Sequence, residues 1–362
     1  MVGSVTHMAT DFPAPSAESQ LGFLTKLQRL FAEGEFAATY KFALLISLAD
    51  LAVELGSDDG RELTLTTRQI SEQFICLYWR QAVDYGTGRA GALPGLLVQN
   101  NGTQAAVVAA IAEFRSTHSA PTPHHARVSP DFAALLSRVT QTVSAQPLNY
   151  LQNFGGMTDE FIYERFGRGS IRLKWGVAYC LRRFQPLIQQ FARSHWVGHI
   201  RGNRRNYPIL GDADDDLEEF LFATSRQSLL LLGNGLRKVD GTTCFYCGHE
   251  LSAVDVDHFI PFVQYPRDLA HNFVLAHPSC NRSKSDTLAA RPHLERWLHR
   301  LDHHSDSLSD IGRAAGLIAD VGVSRRVAAW GYASAMSSGG RAWLAPSLYE
   351  AIDPGYKTLF PP

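Results

Sequence analysis

The sequence is poor in the features that stabilise secreted or membrane-embedded proteins. Only five cysteines occur in 362 residues, at positions 76, 180, 244, 247 and 280. An odd, unevenly spread set does not make a disulfide framework, and it points to a reducing compartment. No apolar run reaches the roughly 20 residues that cross a bilayer as a helix. The nearest, 42–53, contains Asp50 and follows Lys41. The N-terminus, MVGSVTHMATDFPAPSAESQ, lacks a basic stretch followed by an apolar one, so no secretory leader is expected. The expectation is a cytoplasmic protein with no membrane partner. Net charge is scarce too, at −1. The whole molecule therefore does not attract nucleic acid, and any such attraction must come from local clusters. There is no internal repeat, no phosphate-cradling Walker A pattern and no GxGxxG, which argues against a built-in ATPase or dinucleotide site.

The composition that remains, 45% hydrophobic and 19% charged, is that of a globular chain long enough for about two domains. Arg exceeds Lys and Ala is abundant, a usage that fits a GC-rich bacterial genome. The fold expected is mainly α: a helical N-terminal region, a small metal-stabilised ββα unit and a helical C-terminal tail. Residues 1–19, rich in Pro, Ser and Ala, are expected to be disordered. Residues 20–235 read as helical throughout, with a sub-boundary near 117–127 at Ser119-Ala120-Pro121-Thr122-Pro123. Within them, the segment from Tyr40 to Leu55 is apolar nearly all round and should be buried. Thr66 or Thr67 should cap the next helix. Residues 103–115 and 130–143 should be helical, and so should 157–200, divided by Pro186. A helix begun near Asp214 should end at Gly233-Asn234-Gly235. Residues 236–304 form the second unit, with short β-like pieces at 243–246 and 253–256 and a helix running from Asn281 towards Arg300. Residues 305–362 read as two or three further helices.

The second unit carries two interleaved patterns. In the first, Cys244-x-x-Cys247 is matched by His277-x-x-Cys280. Two residues between ligands let a tight knuckle present two side chains to one tetrahedral ion. Three thiolates and one imidazole make a closed Zn²⁺ site with no position left for water, hence a structural one. His249 lies beside the knuckle without the spacing and reads as a surface residue.

The second pattern is Asp257-His258-Phe259-Ile260-Pro261, then Asn272-Phe273-Val274-Leu275, then Cys280-Asn281-Arg282-Ser283-Lys284. In order, spacing and flanking residues this stretch resembles the HNH endonucleases, or ββα-metal nucleases, over about residues 244–286. It departs from their commonest form in having His277 for a third cysteine and Asn281 for the last His. The resemblance implies that His258 is the general base and that Asp257 and Asn281 hold a catalytic Mg²⁺ (or Mn²⁺). It also implies that Asn272 braces the loop and orients His258. The chemistry is coherent: an anionic phosphodiester with a poor leaving group needs a base titrating near neutrality and a cation for the developing charge. Asp286 and His271 read as a capping and a packing residue.

A third feature is charge of one sign. Residues 165–205 hold ten Lys/Arg and no Asp or Glu. Phosphate neutralisation by such residues supplies most non-specific nucleic-acid affinity. Arg201, Arg204 and Arg205, read as a flexible basic loop, are therefore expected to bind nucleic acid together with Arg282 and Lys284. The alternative is a solvated face paired with the acidic run 212–219. The reading that emerges is an endonuclease acting on double-stranded DNA, its helical N-terminal region serving a target, a protein partner or oligomerisation. By fold-level analogy alone it suits a bacterial defence or restriction-like system. Two other readings remain: a non-catalytic zinc-stabilised nucleic-acid-binding or scaffold module, and an RNA endonuclease.

Overall fold

A computed structural model of the chain describes residues 12–85, 93–211, 217–223 and 226–360. The disorder expected of 1–19 falls largely on residues 1–11, outside the described residues, as does the acidic run at 212–216. Helix α1 (Ala17–Glu33) starts inside the 1–19 stretch, because the Ser16 hydroxyl accepts the Ser19 amide and satisfies an otherwise orphaned donor. Helix α2 (Tyr40–Leu55) is buried from Tyr40 to Glu54. Strand β1 (Leu63–Thr66) leads into α3 (Thr67–Tyr78), which Thr66 and Gln69 close with a reciprocal capping box. Helices α4 (Ala106–Thr117) and α5 (Phe132–Ala145) follow.

Residues 153–173 are not helical, although a helix was expected from residue 157. They form a small hairpin, 153–158, and then strands β2 (Tyr163–Arg165) and β3 (Ser170–Leu173). β3 lies centrally in an antiparallel sheet of order β1-β3-β2. The sheet buries Leu65, Ile171 and Leu173 and leaves Thr64 and Arg172 facing outwards, the two-residue period of a half-buried sheet. Helices α6 (Val177–Arg183) and α7 (Gln185–Gly202) then join the first core. Pro186 lies in the first turn of α7, where its missing amide costs nothing, so it starts that helix rather than kinking it.

Helix α8 (Leu217–Phe222) precedes α9 (Arg226–Asp240). Gly233 and Gly235, expected to stop a helix, lie inside α9. A Cβ at Gly235 would collide with Ile311, so the glycine admits close helix packing. Beyond it come β4 (Asp255–His258), β5 (Phe273–Ala276) and α10 (Pro278–Lys284), the expected ββα arrangement. The helix expected to run on from Asn281 instead breaks at residues 285–290. It resumes as α11 (Arg291–Ala315), followed by α12 (Val321–Ser337). The tail then forms a hairpin, β6 (Arg341–Ala345) and β7 (Leu348–Ala351), where further helix was expected.

Two apolar cores result. One gathers residues from Phe23 to Leu221, and the other gathers Leu232 to Tyr356 together with Val53 of α2. The boundary expected at residue 304 falls in the middle of α11, whose Leu298, Leu301 and Leu308 serve one core. The C-terminal hairpin belongs to the same core through Ala342 and Trp343. The two cores meet at the C-terminal end of α2. There Glu54 accepts from Tyr265 Oη at 2.6 Å and pairs with Arg267, and the Glu54 carbonyl accepts from Arg326. Trp330 Nε1 donates to the Arg182 carbonyl at 3.0 Å.

Asp50, one turn earlier on α2, is fully enclosed and accepts from Gln185 (2.9 Å) and Gln189 (2.7 Å). Burial pushes its carboxyl up to about 6, against the opposing pull of Arg267. Because the folded state holds this proton more tightly than the unfolded one, Asp50 contributes fully below pH ~4, and that contribution is lost as pH rises through about 6. Asp50→Asn keeps the acceptor oxygen but cannot ionise. Its stability relative to wild type should therefore improve by roughly 3 kcal/mol between pH 4 and pH 7. Urea titrations across that window test this, and a difference that does not change with pH would count against it.

Candidate functional site

The ββα unit is built around a knuckle. Gly248 takes φ +73°, a left-handed turn that glycine adopts without strain. This returns the chain so that the Cys244 amide donates to the His249 carbonyl at 2.8 Å and the Gly248 amide to the Cys244 carbonyl at 2.9 Å. From the other side, β5 delivers His277 and the first turn of α10 delivers Cys280. The ligand atoms of Cys244, Cys247, His277 and Cys280 all lie within 4.8 Å of one another. Tetrahedral Zn–S bonds of about 2.3 Å require ligand separations of about 3.8 Å, so the set fits zinc. The imidazole is oriented for it: Nδ1 lies 3.3 Å from Cys247 Sγ, while Nε2 meets the Glu250 carbonyl at 3.0 Å. That outer hydrogen bond fixes the ring and its tautomer. Burial pushes the Cys244 thiol up, but the amides of Cys247, His277 and Tyr246 outweigh it and hold it at about 7. Burial and the adjacent Cys244 push Cys280 up to about 12. Such crowded sulfurs ionise together only around a cation. His249 is exposed and outside the cluster.

Strand alternation sorts the second pattern onto two faces. Asp255 and Asp257 face α10, on which Asn281 and Lys284 stand one turn apart. Asn281 Nδ2 donates to Asp255 Oδ2 at 3.0 Å. Asp257 Oδ2 accepts from Tyr246 Oη at 2.5 Å and pairs with Lys284 Nζ at 3.0 Å. Lys284 also donates to the His258 carbonyl at 2.9 Å. It is 1% exposed, so the expectation that it contacts nucleic acid is corrected: its ammonium is spent on tying α10 to β4. Burial pulls the lysine down, opposed by Asp257. Asp255, Asp257 and Asn281 bring side-chain oxygens to this face, the ligand type that hard divalent ions take.

His258 ends β4 and leaves it on the opposite face, beside its cross-strand neighbour Phe273. Its ring lies against Phe273 (4.2 Å between centroids) and Phe262 (5.2 Å), and its Nε2 meets Asp268 Oδ1 at 3.1 Å. Asn272 is 1% exposed. Its side chain accepts from the Ile260 amide at 2.7 Å and donates to the Ile260 carbonyl at 2.9 Å, while its own carbonyl accepts from Phe259. The side-chain amide thus ties down the loop that follows His258 by one accepted and one donated bond. His271 is buried, with Nε2 near the Ser305 carbonyl. The geometry adds two residues that the motif did not single out, Asp255 and Asp268. Asp255 is legible as the same-face neighbour of Asp257, two residues earlier. Asp268 has no spacing signal.

The basic segment is mostly consumed by structure. Arg182 is buried against Asp58 and the carbonyls of Ala52 and Val53. Arg172 pairs with Glu164 and Glu62. Arg193 reaches Gln189 and the Pro266 carbonyl. Residues 201–206, expected to form a loop, have regular secondary structure except at Asn203. They end α7 and turn through a 3₁₀ segment pinned by Asn206, whose side chain bonds the amide and carbonyl of Val98 and the Ile200 carbonyl. Arg201, Arg204 and Arg205 are exposed there, with Arg205 donating to the Gly102 carbonyl, and Arg282 is exposed on α10.

A family model described as HNH endonuclease matches residues 244–287. No curated protein and no solved structure matches the chain. Residues 244–287 are therefore an HNH endonuclease segment with a zinc-compatible Cys/His cluster, and the match does not extend to the flanking residues. Among the described residues no helix is long and apolar enough to cross a membrane.

Native protein should carry one zinc per chain by elemental analysis, and Cys280→Ser should lose it. Because metal binding and folding are coupled, that variant should also unfold at lower temperature. A metal-free native protein of undiminished stability would refute the assignment.

Proposed function

We propose that the chain is a metal-dependent endonuclease that hydrolyses phosphodiester bonds in double-stranded DNA, in a bacterial defence or restriction-like setting. The observation that carries the reading is His258, on an HNH segment, held by a carboxylate at one ring nitrogen only. Asp268 at Nε2 favours the tautomer with the proton on Nε2, leaving the Nδ1 lone pair to accept a proton from water. The water oxygen bonds to phosphorus, the P–O3′ bond breaks, and the 3′ oxygen takes a proton from solvent. Asp268 then faces the imidazolium and stabilises it. Asn272 holds the 259–260 backbone, and through it the ring's position. Asp257 and Asn281, with Asp255 beside them, would hold Mg²⁺ or Mn²⁺, which supplies positive charge to the developing oxyanion. Lys284 keeps α10 against β4 and so keeps Asn281 opposite the carboxylates. Arg282, Arg201, Arg204 and Arg205 are the exposed cations we assign to phosphate contacts.

One observation favours a second reading, a zinc-stabilised module that binds without cutting. Asp257 is 8% exposed and already neutralised by Lys284. Kinetics on supercoiled plasmid separate the two, and a duplex RNA substrate in the same assay tests the RNA alternative. His258→Ala should lower single-turnover cleavage by about 10²–10⁴-fold with DNA binding retained. Asp268→Asn should reduce kcat with little change in KM, as befits a residue that positions another. Near-wild-type turnover by His258→Ala would overturn the general-base assignment.

A further inference from the structure

A large open cavity lies away from the HNH segment, at the N-terminal end of α2. It encloses about 570 Å³, within the range of small-molecule sites. Lys41, in the first turn of α2, lines it and is 7% exposed. An ammonium carries three donors and is costly to bury without an acceptor for each. Among the described residues Lys41 has one hydrogen-bond partner, the Asn153 carbonyl, at the long distance of 3.3 Å. Asn153 lines the same cavity. Among the described residues no carboxylate forms an ion pair with Lys41, whose ammonium also lies 5.4 Å from the centre of the Phe36 ring. Burial pulls its ammonium downward, against a weaker opposing influence of Glu35. The first turn of α2 also places the positive end of a 16-residue helix at this wall.

The remaining wall indicates what would accompany a negative group. Tyr150 and Met157 are 51% and 62% exposed, and the buried Phe154 also lines the cavity. Exposed aromatic and thioether surface around a concave site suits a flat ring. Charge fixes the valence. Glu33 and Glu35 also line the cavity, Glu33 already held by Arg29 at 2.9 Å and Glu35 exposed. One buried cation beside one exposed carboxylate accommodates a monoanion better than a dianion.

We propose that this cavity binds a small aromatic carboxylate, its ring on Tyr150, Phe154 and Met157 and its carboxylate on Lys41. The site stands on its own geometry and is independent of the nuclease reading. It is also connected to the second core: α2 runs from Lys41 to Glu54, roughly 20 Å, with every residue buried, and Glu54 holds Tyr265 and Arg267.

Calorimetric titration of the full chain with indole-3-acetate, tryptophan and tryptamine tests this. These offer one ring system as a monoanion, a zwitterion and a cation. The carboxylates should bind with sub-millimolar Kd, and tryptamine at least tenfold more weakly. Tighter binding of tryptophan would assign the site to an amino acid, through its ammonium at Glu35, and tighter binding of indole-3-acetate would assign it to a simple acid. Lys41→Met, and Lys41→Gln as a more conservative variant, should weaken carboxylate binding at least tenfold with little change in Tm, because only a long hydrogen bond to Asn153 and a contact with the Phe36 ring are lost. If neither carboxylate binds better than tryptamine to wild-type protein, or if the variants bind the carboxylates as wild type does, the proposal fails.

Discussion

The convergence of three sulfurs and one imidazole within 4.8 Å is the constraint on which the nuclease segment depends. Two of these ligands come from a knuckle with no regular secondary structure, one from the end of β5 and one from the first turn of α10. A cation among them would bind together pieces that already pack in one apolar core, where Cys244 and Tyr246 meet Val274 and Leu275. It also sets the position of α10, because Cys280 is followed directly by Asn281, and Lys284 lies one turn further on. Lys284 then makes the second tie, to Asp257 and to the His258 carbonyl. Tyr246, between the two knuckle cysteines, closes the circuit by donating to Asp257. The zinc-compatible cluster and the proposed catalytic face are thus linked through a single buried carboxylate.

That arrangement also explains the division of β4. Asp255 and Asp257 turn towards α10 and its amide and ammonium, while His258 turns towards Phe273 and Asp268. On one face Asp257 is paired with Lys284 and Asp255 is met only by a neutral amide, and the imidazole on the other is held by an aromatic wall and one carboxylate. The buried Glu54–Arg267 pair lies one residue from Asp268, so the end of α2 fixes the loop that holds His258. The helical region is in this sense part of the site's support, beyond being attached to it.

Much of this was legible in the sequence, for identifiable reasons. The ligand spacing of the knuckles and the Asp-His, Asn and Asn-x-x-Lys pieces are local patterns, and local patterns survive without knowledge of the fold. Helix 40–55 was legible because almost every side chain is apolar. The strands at 163–173 were not, although Ile171 and Leu173 alternate with Ser170 and Arg172. They are too short for alternation to stand out, and the arginines there read as a charge run. Gly233 and Gly235 signal a helix end locally, but their use is tertiary, to admit Val256 and Ile311. The fates of Lys284 and Arg182 were equally hidden, because a charged side chain reads as surface until its buried partner is known. Asp268 is the clearest case: ten residues past His258, it meets the ring only because the 259–268 loop doubles back.

The central claim is that residues 244–287 cut nucleic acid with the help of an ion distinct from the structural zinc. The most direct measurement is relaxation of supercoiled plasmid by zinc-loaded protein, first with no added divalent ion and then with Mg²⁺ or Mn²⁺ in stepwise titration. The account predicts negligible cleavage with zinc alone and saturable cleavage when the second ion is added, at unchanged zinc content. Cleavage that is indifferent to the added ion, or its absence at every concentration and on both DNA and RNA, would contradict it.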